Sequence, residues 1–294
     1  MSDLRALRET SPAIICLLGT SRCGSTLLQR AIALSSVAIS LGEIARVHEL
    51  LEKRSLCACG ESLATCEFWA SALPSLKQTA PIVAWSEARW LERSKMLRGV
   101  LATVTGQSFI ASPTERESAR ALALALASLA EQTGSALFID SSKDPSEFLR
   151  LALLPSHLIV PVHLVRDPRG VAWSAFRRTG IDPIAMASHW SRLNRAIAWL
   201  KRMTSRYPWQ LMRYEDFCRD PLSVRRRLLM AAGHKEDIEI SATVTHAMGG
   251  SPEFSLERNG SIVLDERWKA EMPVELQRHI MQTIGITARK LGYI

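Results

Sequence analysis

No apolar run in the 294-residue chain nears the roughly 18–20 residues that span a bilayer; the stretch Ala13–Leu18 is among the longest. The opening Met1-Ser2-Asp3-Leu4-Arg5 lacks the apolar core of a secretion leader. A cytoplasmic protein with no membrane partner is therefore expected, most simply in a bacterium. There is no internal repeat and no low-complexity linker, which excludes solenoids and tethered arrays. Aromatic residues are few, at 6%, and do not interleave with basic ones as in a nucleic-acid groove. The short run Arg225-Arg226-Arg227 reads as a solvated helix face, so no nucleic-acid partner is expected. Acidic residues are outnumbered 29 to 37, and the formal net charge of +8 favours an anionic ligand without naming it. What is present is an ordinary globular balance, 47% hydrophobic and 22% charged, which excludes a largely disordered chain. The length suits one α/β domain over residues 1–294.

The run Ala13-Ile14-Ile15-Cys16-Leu17-Leu18 predicts a strand buried on both faces of a parallel sheet. A helix over Ser25–Ser35 follows. Later strands are predicted at Ala136–Asp140, His157–Arg166 and Gln210–Tyr214. Helices are predicted at Pro168–Arg178 and Pro221–Ala232, where each proline suits a first helical turn. Further helices are expected at Glu115–Gln132 and Asp182–Arg206. Strands alternating with helices predict a doubly wound, mainly parallel α/β fold. The hundred or so residues after the first βα unit show no strong strand signal. They predict a helical insertion, about 44–135, shaping a binding pocket near the strand ends.

The first strand runs into Gly19-Thr20-Ser21-Arg22-Cys23-Gly24-Ser25-Thr26-Leu27. The two glycines have the spacing of a nucleotide phosphate loop. Free backbone N–H groups and the positive end of the helix dipole make such a turn an anion site. Ser25, however, stands where a kinase or nucleoside triphosphatase carries lysine, and Arg22 lies three residues earlier. Cys23 sits where a helix N-terminus would acidify a thiol.

A second anion motif is Arg166-Asp167-Pro168-Arg169-Gly170-Val171-Ala172-Trp173-Ser174. Arg166 ends a predicted strand, where its fork can grip a phosphate in two places. Asp167 reads as a helix N-cap, and Ser174 lies about two turns further on.

Together the two motifs resemble the PAPS-dependent sulfotransferase superfamily. The resemblance implies a phosphate-loop-like α/β fold and 3′-phosphoadenylyl sulfate (PAPS) as sulfuryl donor, with PAP as product. Arg22, Cys23, Gly24, Ser25, Thr26 and Leu27 match the loop that holds the 5′-phosphosulfate. Arg166 and Ser174 match the pair that holds the 3′-phosphate. Arg213-Tyr214-Glu215-Asp216-Phe217, His246…Gly249-Gly250-Ser251-Pro252 and Asp265–Lys269 are similar to further segments of the family. Ser251 and Phe254 depart from its pattern. By the same resemblance Arg258, Asn259 and Gly260 would close over the 3′-phosphate, and Trp268 would stack on adenine. The acceptor would be a small molecule or a carbohydrate, attacked through a hydroxyl or an amine.

Sulfuryl transfer needs a base, an in-line geometry and cations for the leaving phosphate, but no catalytic metal. Arg22 is one cation. Lys143, just past a buried strand, is a second, and resembles the lysine that the carbohydrate and tyrosylprotein branches aim at the sulfuryl group. Glu43, which the chain can return toward the loop, resembles the tyrosylprotein glutamate base. His48 is the rival base, because cytosolic aryl sulfotransferases use a histidine; His163, inside a strand, reads as core. Cys57, Cys59 and Cys66 are expected as reduced, buried thiols, with a disulfide, or zinc completed by His48, as alternatives. Two other functions stay in view: an ATP-dependent phosphotransferase, opposed by the missing loop lysine, and a non-catalytic nucleotide- or nucleic-acid-binding protein. The oligomeric state, monomer or homo-oligomer, is left open.

Overall fold

The computed structural model describes residues 11–82, 90–106, 110–154, 157–234, 245–250 and 262–294. Five strands form one parallel sheet: β1 (Ala13–Leu18), β2 (Ala38–Gly42), β3 (Leu137–Lys143), β4 (Ile159–Val165) and β5 (Gln210–Arg213). Their order is β2-β3-β1-β4-β5, with every neighbouring pair parallel. The doubly wound α/β expectation therefore holds. One strand went unforeseen. Ala38-Ile39-Ser40-Leu41-Gly42 is short, rich in small residues and at the sheet's edge, so it gives little apolar signal. The helical segment 44–135 thus follows the second strand, not the first βα unit.

Parallel pairing hides both faces of the sheet under helices, so the central strands carry unbroken apolar runs. All six residues of β1 and all seven of β4 are buried. Alternation along β1 divides the core. Ile14, Cys16 and Leu18 pack with Phe138, Leu126 and Trp69 on one side. Ile15 and Leu17 pack with Ile139, Val160 and Leu228 on the other. Among the described residues, no helix is long and apolar enough to cross a membrane.

Helix starts are written in the sequence as Asp-Pro. Asp144, Asp167, Asp182 and Asp220 each cap a helix whose first position is proline, accepting from the N–H of Ser146, Arg169, Ala185 and Ser223. Each cap is worth about 1 kcal/mol, and proline there gives up only an N–H that has no intrahelical partner. Two of these helices, Pro145–Leu151 and Pro168–Thr179, begin directly after β3 and β4. The caps therefore fix how the chain turns at the sheet's carboxyl edge.

His163 is core, as its place in a strand predicts. Its Nε2 lies 2.7 Å from Asn194 Oδ1, and burial lowers its pKa to about 4. His157 is lowered to about 4 by the same cause. A native pKa below the unfolded value of about 6.5 means that the unfolded chain takes up the proton first. The contribution of His163 is thus intact above pH 6.5 and is lost as pH falls toward 4, by about 3 kcal/mol. Buried Asp140, raised to about 7 by burial and by Glu147, titrates in the opposite sense. The comparison must therefore isolate the histidine. Urea unfolding of wild type and His163→Gln between about pH 4.5 and pH 7 is expected to show a shallower loss of stability with acid in the variant. Parallel curves would show that His163 does not titrate as its surroundings require.

Candidate active site

The carboxyl ends of all five strands meet at one cavity of about 460 Å³. β1 supplies Arg22, Gly24, Ser25, Thr26 and Leu27 from the loop and the first turn of the helix Ser25–Ala33. β2 supplies Glu43, one residue past its end, and β3 supplies its last residue, Lys143. β4 and β5 supply Arg166 and Tyr214, each one residue past the strand. Gly250 and residues 263–267 close the rim.

The loop folds tightly because two positions tolerate no side chain. A Cβ at Gly19 would stand 2.4 Å from the Leu164 carbonyl oxygen. Gly24 adopts φ +95°, and a Cβ there would stand 2.4 Å from the Tyr214 ring. Gly24 is also the N-cap, and as glycine it brings no side chain to cap the helix's first N–H groups. Those amides and the dipole therefore face the cavity as an anion cradle. Arg22 itself takes φ +66°, a conformation uncommon outside glycine.

The two anion motifs, remote in sequence, touch. Arg22 Nε donates to Ser174 Oγ at 3.0 Å, and Arg166 Nη1 donates to the Arg22 carbonyl at 3.1 Å. Arg166 Nη2 also donates to the Asp265 carbonyl at 2.9 Å and to its carboxylate at 3.1 Å. The same guanidinium lies over the Tyr214 ring, 4.5 Å from its centroid. The Arg267 hydrogen bonds, and then Arg166, hold the Asp265 carboxyl far below the ordinary carboxylate range. Burial pushes the Tyr214 hydroxyl up to about 12, so it stays protonated.

Arg22, Arg166 and Ser174 also line a second cavity of about 400 Å³, with Arg177, Arg178 and Arg267. Five arginines line it beside a single lining carboxylate, that of Asp265, and one of them, Arg177, also pairs with Glu271 at 2.8 Å. Such a field favours an anion of more than one charge.

Glu43 and Lys143, a hundred residues apart, form a buried pair with Nζ 2.6 Å from Oε1. Asp144, the nearer candidate partner for Lys143, instead caps a helix. Arg46 grips the other oxygen of Glu43. Burial alone would raise the Glu43 pKa, but Lys143 and Arg46 outweigh it and bring it below the ordinary value. Glu43 is thus an ionised carboxylate beside a cation at the cavity wall.

Some expectations need correction. His48 is not brought to the cavity: its Nε2 lies 2.7 Å from the Thr79 carbonyl. Cys23 does not line the cavity; it is buried, and desolvation raises its thiol pKa where the helix dipole predicted the reverse. Trp268 lines the second cavity, and the Arg169 guanidinium lies over its ring at 4.3 Å. Arg258, Asn259 and Gly260, with Ser251 and Phe254, lie outside the described residues. Sequence reasoning assigned no role to Tyr214, Asp265, Arg267 or Arg46. The first three sit in segments it singled out, and Arg46 lies one turn after Glu43.

With this geometry in view, comparison with known proteins gives a consistent result. The family model of the Sulfotransferase family matches residues 12–237, which hold the loop, Glu43, Lys143, Arg166 and Ser174. The fold is similar to that of a sulfotransferase domain from the Synechococcus PCC 7002 olefin synthase: TM-score 0.51, 20% identity, covering 95% of this chain and 96% of that one. It is also similar to a sulfotransferase domain from the curacin biosynthetic pathway: TM-score 0.51, 18% identity, covering 96% of this chain and 98% of that one. No curated protein sequence matches the chain. The family match, over residues 12–237 and so most of the chain, makes this protein a member of the sulfotransferase family.

Proposed function

We propose that the protein transfers a sulfuryl group from PAPS to a hydroxyl, or an amine, of a small-molecule or carbohydrate acceptor. One observation carries the reading: two separate anion sites meet at Arg22, one on the loop amides and one around Arg166 and Ser174. A donor with a 5′-phosphosulfate and a distinct 3′-phosphate needs that arrangement; a single contiguous triphosphate does not. When bound, PAPS supplies an activated sulfuryl group on a phosphate leaving group.

The chain's own groups divide the remaining work. Arg22 and the amides of Gly24–Leu27 hold the 5′ end and neutralise charge that grows there. Arg166, Ser174 and the neighbouring arginines hold the 3′-phosphate. Lys143 adds a cation at the wall of the same cavity. Glu43 accepts the acceptor's proton. A carboxylate held below its ordinary pKa is a weak base toward a free hydroxyl, so the proton moves only as the new bond to sulfur forms. The Lys143 contact keeps the carboxylate ionised and aimed at the cavity. The segment 44–135 would shape the acceptor pocket within one domain over 1–294. No step in this scheme uses a metal.

Calorimetry with 3′,5′-ADP, 5′-ADP and ATP tests the donor site. The 3′-phosphate is expected to tighten binding by about 100-fold or more, from two or three charge-assisted hydrogen bonds of about 1.5 kcal/mol or more each, and Arg166→Ala to erase that preference. Equal or tighter binding of ATP would transfer the protein to the phosphotransferases.

Glu43→Gln tests the base. It is expected to lower kcat by about 10²–10⁴-fold while leaving 3′,5′-ADP affinity within a few-fold of wild type. Because Lys143 and Arg46 hold the Glu43 pKa below 4.5, the wild-type rate should show no Glu43 limb above about pH 5. An unchanged kcat in the variant would remove Glu43 from the chemistry.

A further inference from the structure

Beyond the end of β2, three cysteines meet a histidine from far away in sequence. Cys57, Cys59 and Cys66 lie in the connection that follows β2, and His246 belongs to the segment 245–250. The four ligand atoms all lie within 4.8 Å of one another. Cys59 Sγ is 3.7 Å from Cys66 Sγ, and His246 Nδ1 is 3.5 Å from Cys66 Sγ and 3.8 Å from Cys57 Sγ. Arms of about 2.3 Å to sulfur and about 2.0–2.1 Å to nitrogen, at tetrahedral angles, separate ligand atoms by about 3.5–3.8 Å. A disulfide would bring two sulfurs to about 2.05 Å, and all of these cysteines are free.

The surroundings hold the four groups in place. Cys57 and Cys59 flank a tight turn in which the Gly60 N–H donates to the Cys57 carbonyl and the Cys57 N–H to the Glu61 carbonyl. The Trp69 N–H donates to the Cys66 carbonyl at 3.0 Å, which turns the chain just after the third cysteine. The His246 ring stacks flat on Phe68, with centroids 4.5 Å apart and 5° between planes. Trp69 Nε1 donates to the His246 carbonyl at 2.7 Å. Cys57 and Cys66 are buried, and none of the four residues lines the cavity at the strand ends.

We propose that Cys57, Cys59, Cys66 and His246 form a closed Cys3His site for a structural zinc ion. Soft sulfur with one imidazole in a tetrahedron suits zinc and disfavours magnesium or calcium. Each thiol releases its proton as it binds. The site joins two chain segments. Met248, two residues past His246, pairs with Gly42 and Cys57, and its carbonyl accepts from the Glu43 N–H at 2.7 Å. The ion therefore clamps the strip of chain that positions Glu43, without touching the reacting groups. It stands independently of the sulfuryl-transfer reading.

The test is metal analysis of the full chain, purified without chelator from zinc-supplemented culture. Close to one zinc per chain is expected, with only traces of iron and copper. Cobalt(II) exchanged into the protein should give tetrahedral visible bands and thiolate charge transfer. His246→Ala should lower the zinc content to background, while His48→Ala keeps it. Because a variant in the cluster could fail to fold, the wild-type protein is also titrated with an organomercurial beside a chromogenic zinc chelator. Zinc should then appear in step with reaction of the cluster thiols. Zinc-free protein whose cluster thiols react freely would overturn the proposal. So would a Cys59–Cys66 disulfide in metal-free protein by non-reducing mass spectrometry, or loss of zinc from His48→Ala with retention in His246→Ala.

Discussion

The Arg166 guanidinium ties the cavity together. It stands at the end of a fully buried strand and is itself 6% exposed. Its hydrogen bonds reach the loop after β1 and the segment around Asp265, and its face lies over Tyr214 beyond β5. A charge so far from water must be compensated, and one carboxylate with two carbonyls and an aromatic face does so here. The loop conformation, the seat of Tyr214 over Gly24 and the rim at 263–267 all depend on that one side chain. A second anion would find donors already aimed, with little reorganisation needed.

The pair of Glu43 and Lys143 follows the same economy. Each sits at a strand's carboxyl end, and β3 lies beside β2; the register pairs Gly42 with Asp140, and the Lys143 side chain, from a residue at φ +71°, reaches back to the Ser141 carbonyl and to Glu43. Their proximity needs no long flexible connection. Rigid elements place the groups to within the pleat of the sheet, which is what proton transfer and charge neutralisation demand.

Much of this was legible in the sequence because it rests on local patterns. Apolar runs marked β1 and β4, Pro168 and Pro221 with the cap Asp167 marked two helix starts, and glycine spacing marked the loop; the helix Pro145–Leu151 was not foreseen. The pattern Arg166…Ser174 predicted a common ligand, and the Arg22–Ser174 bond brings that motif to the loop. What escaped was long-range or set by burial. β2 hid because small residues suffice at a sheet's edge. His48 looked like a partner for the cysteines because it was close along the chain, whereas His246 is close in space. Cys23 followed desolvation and not the helix dipole, which no spacing rule reveals.

The segment at Met248 has one more consequence. β2 is an edge strand, and an edge offers unpaired N–H and C=O groups to any passing chain. Met248 occupies part of that edge: its N–H donates to the Leu41 carbonyl, and its carbonyl accepts from Glu43. It comes so close at Gly42, φ +74°, that a Cβ there would stand 2.1 Å from its oxygen. The opposite edge, β5, is only four residues long. The sheet thus guards both flanks against strand addition, one by covering and one by brevity, so the contact that supports Glu43 also helps to keep the molecule from aggregating.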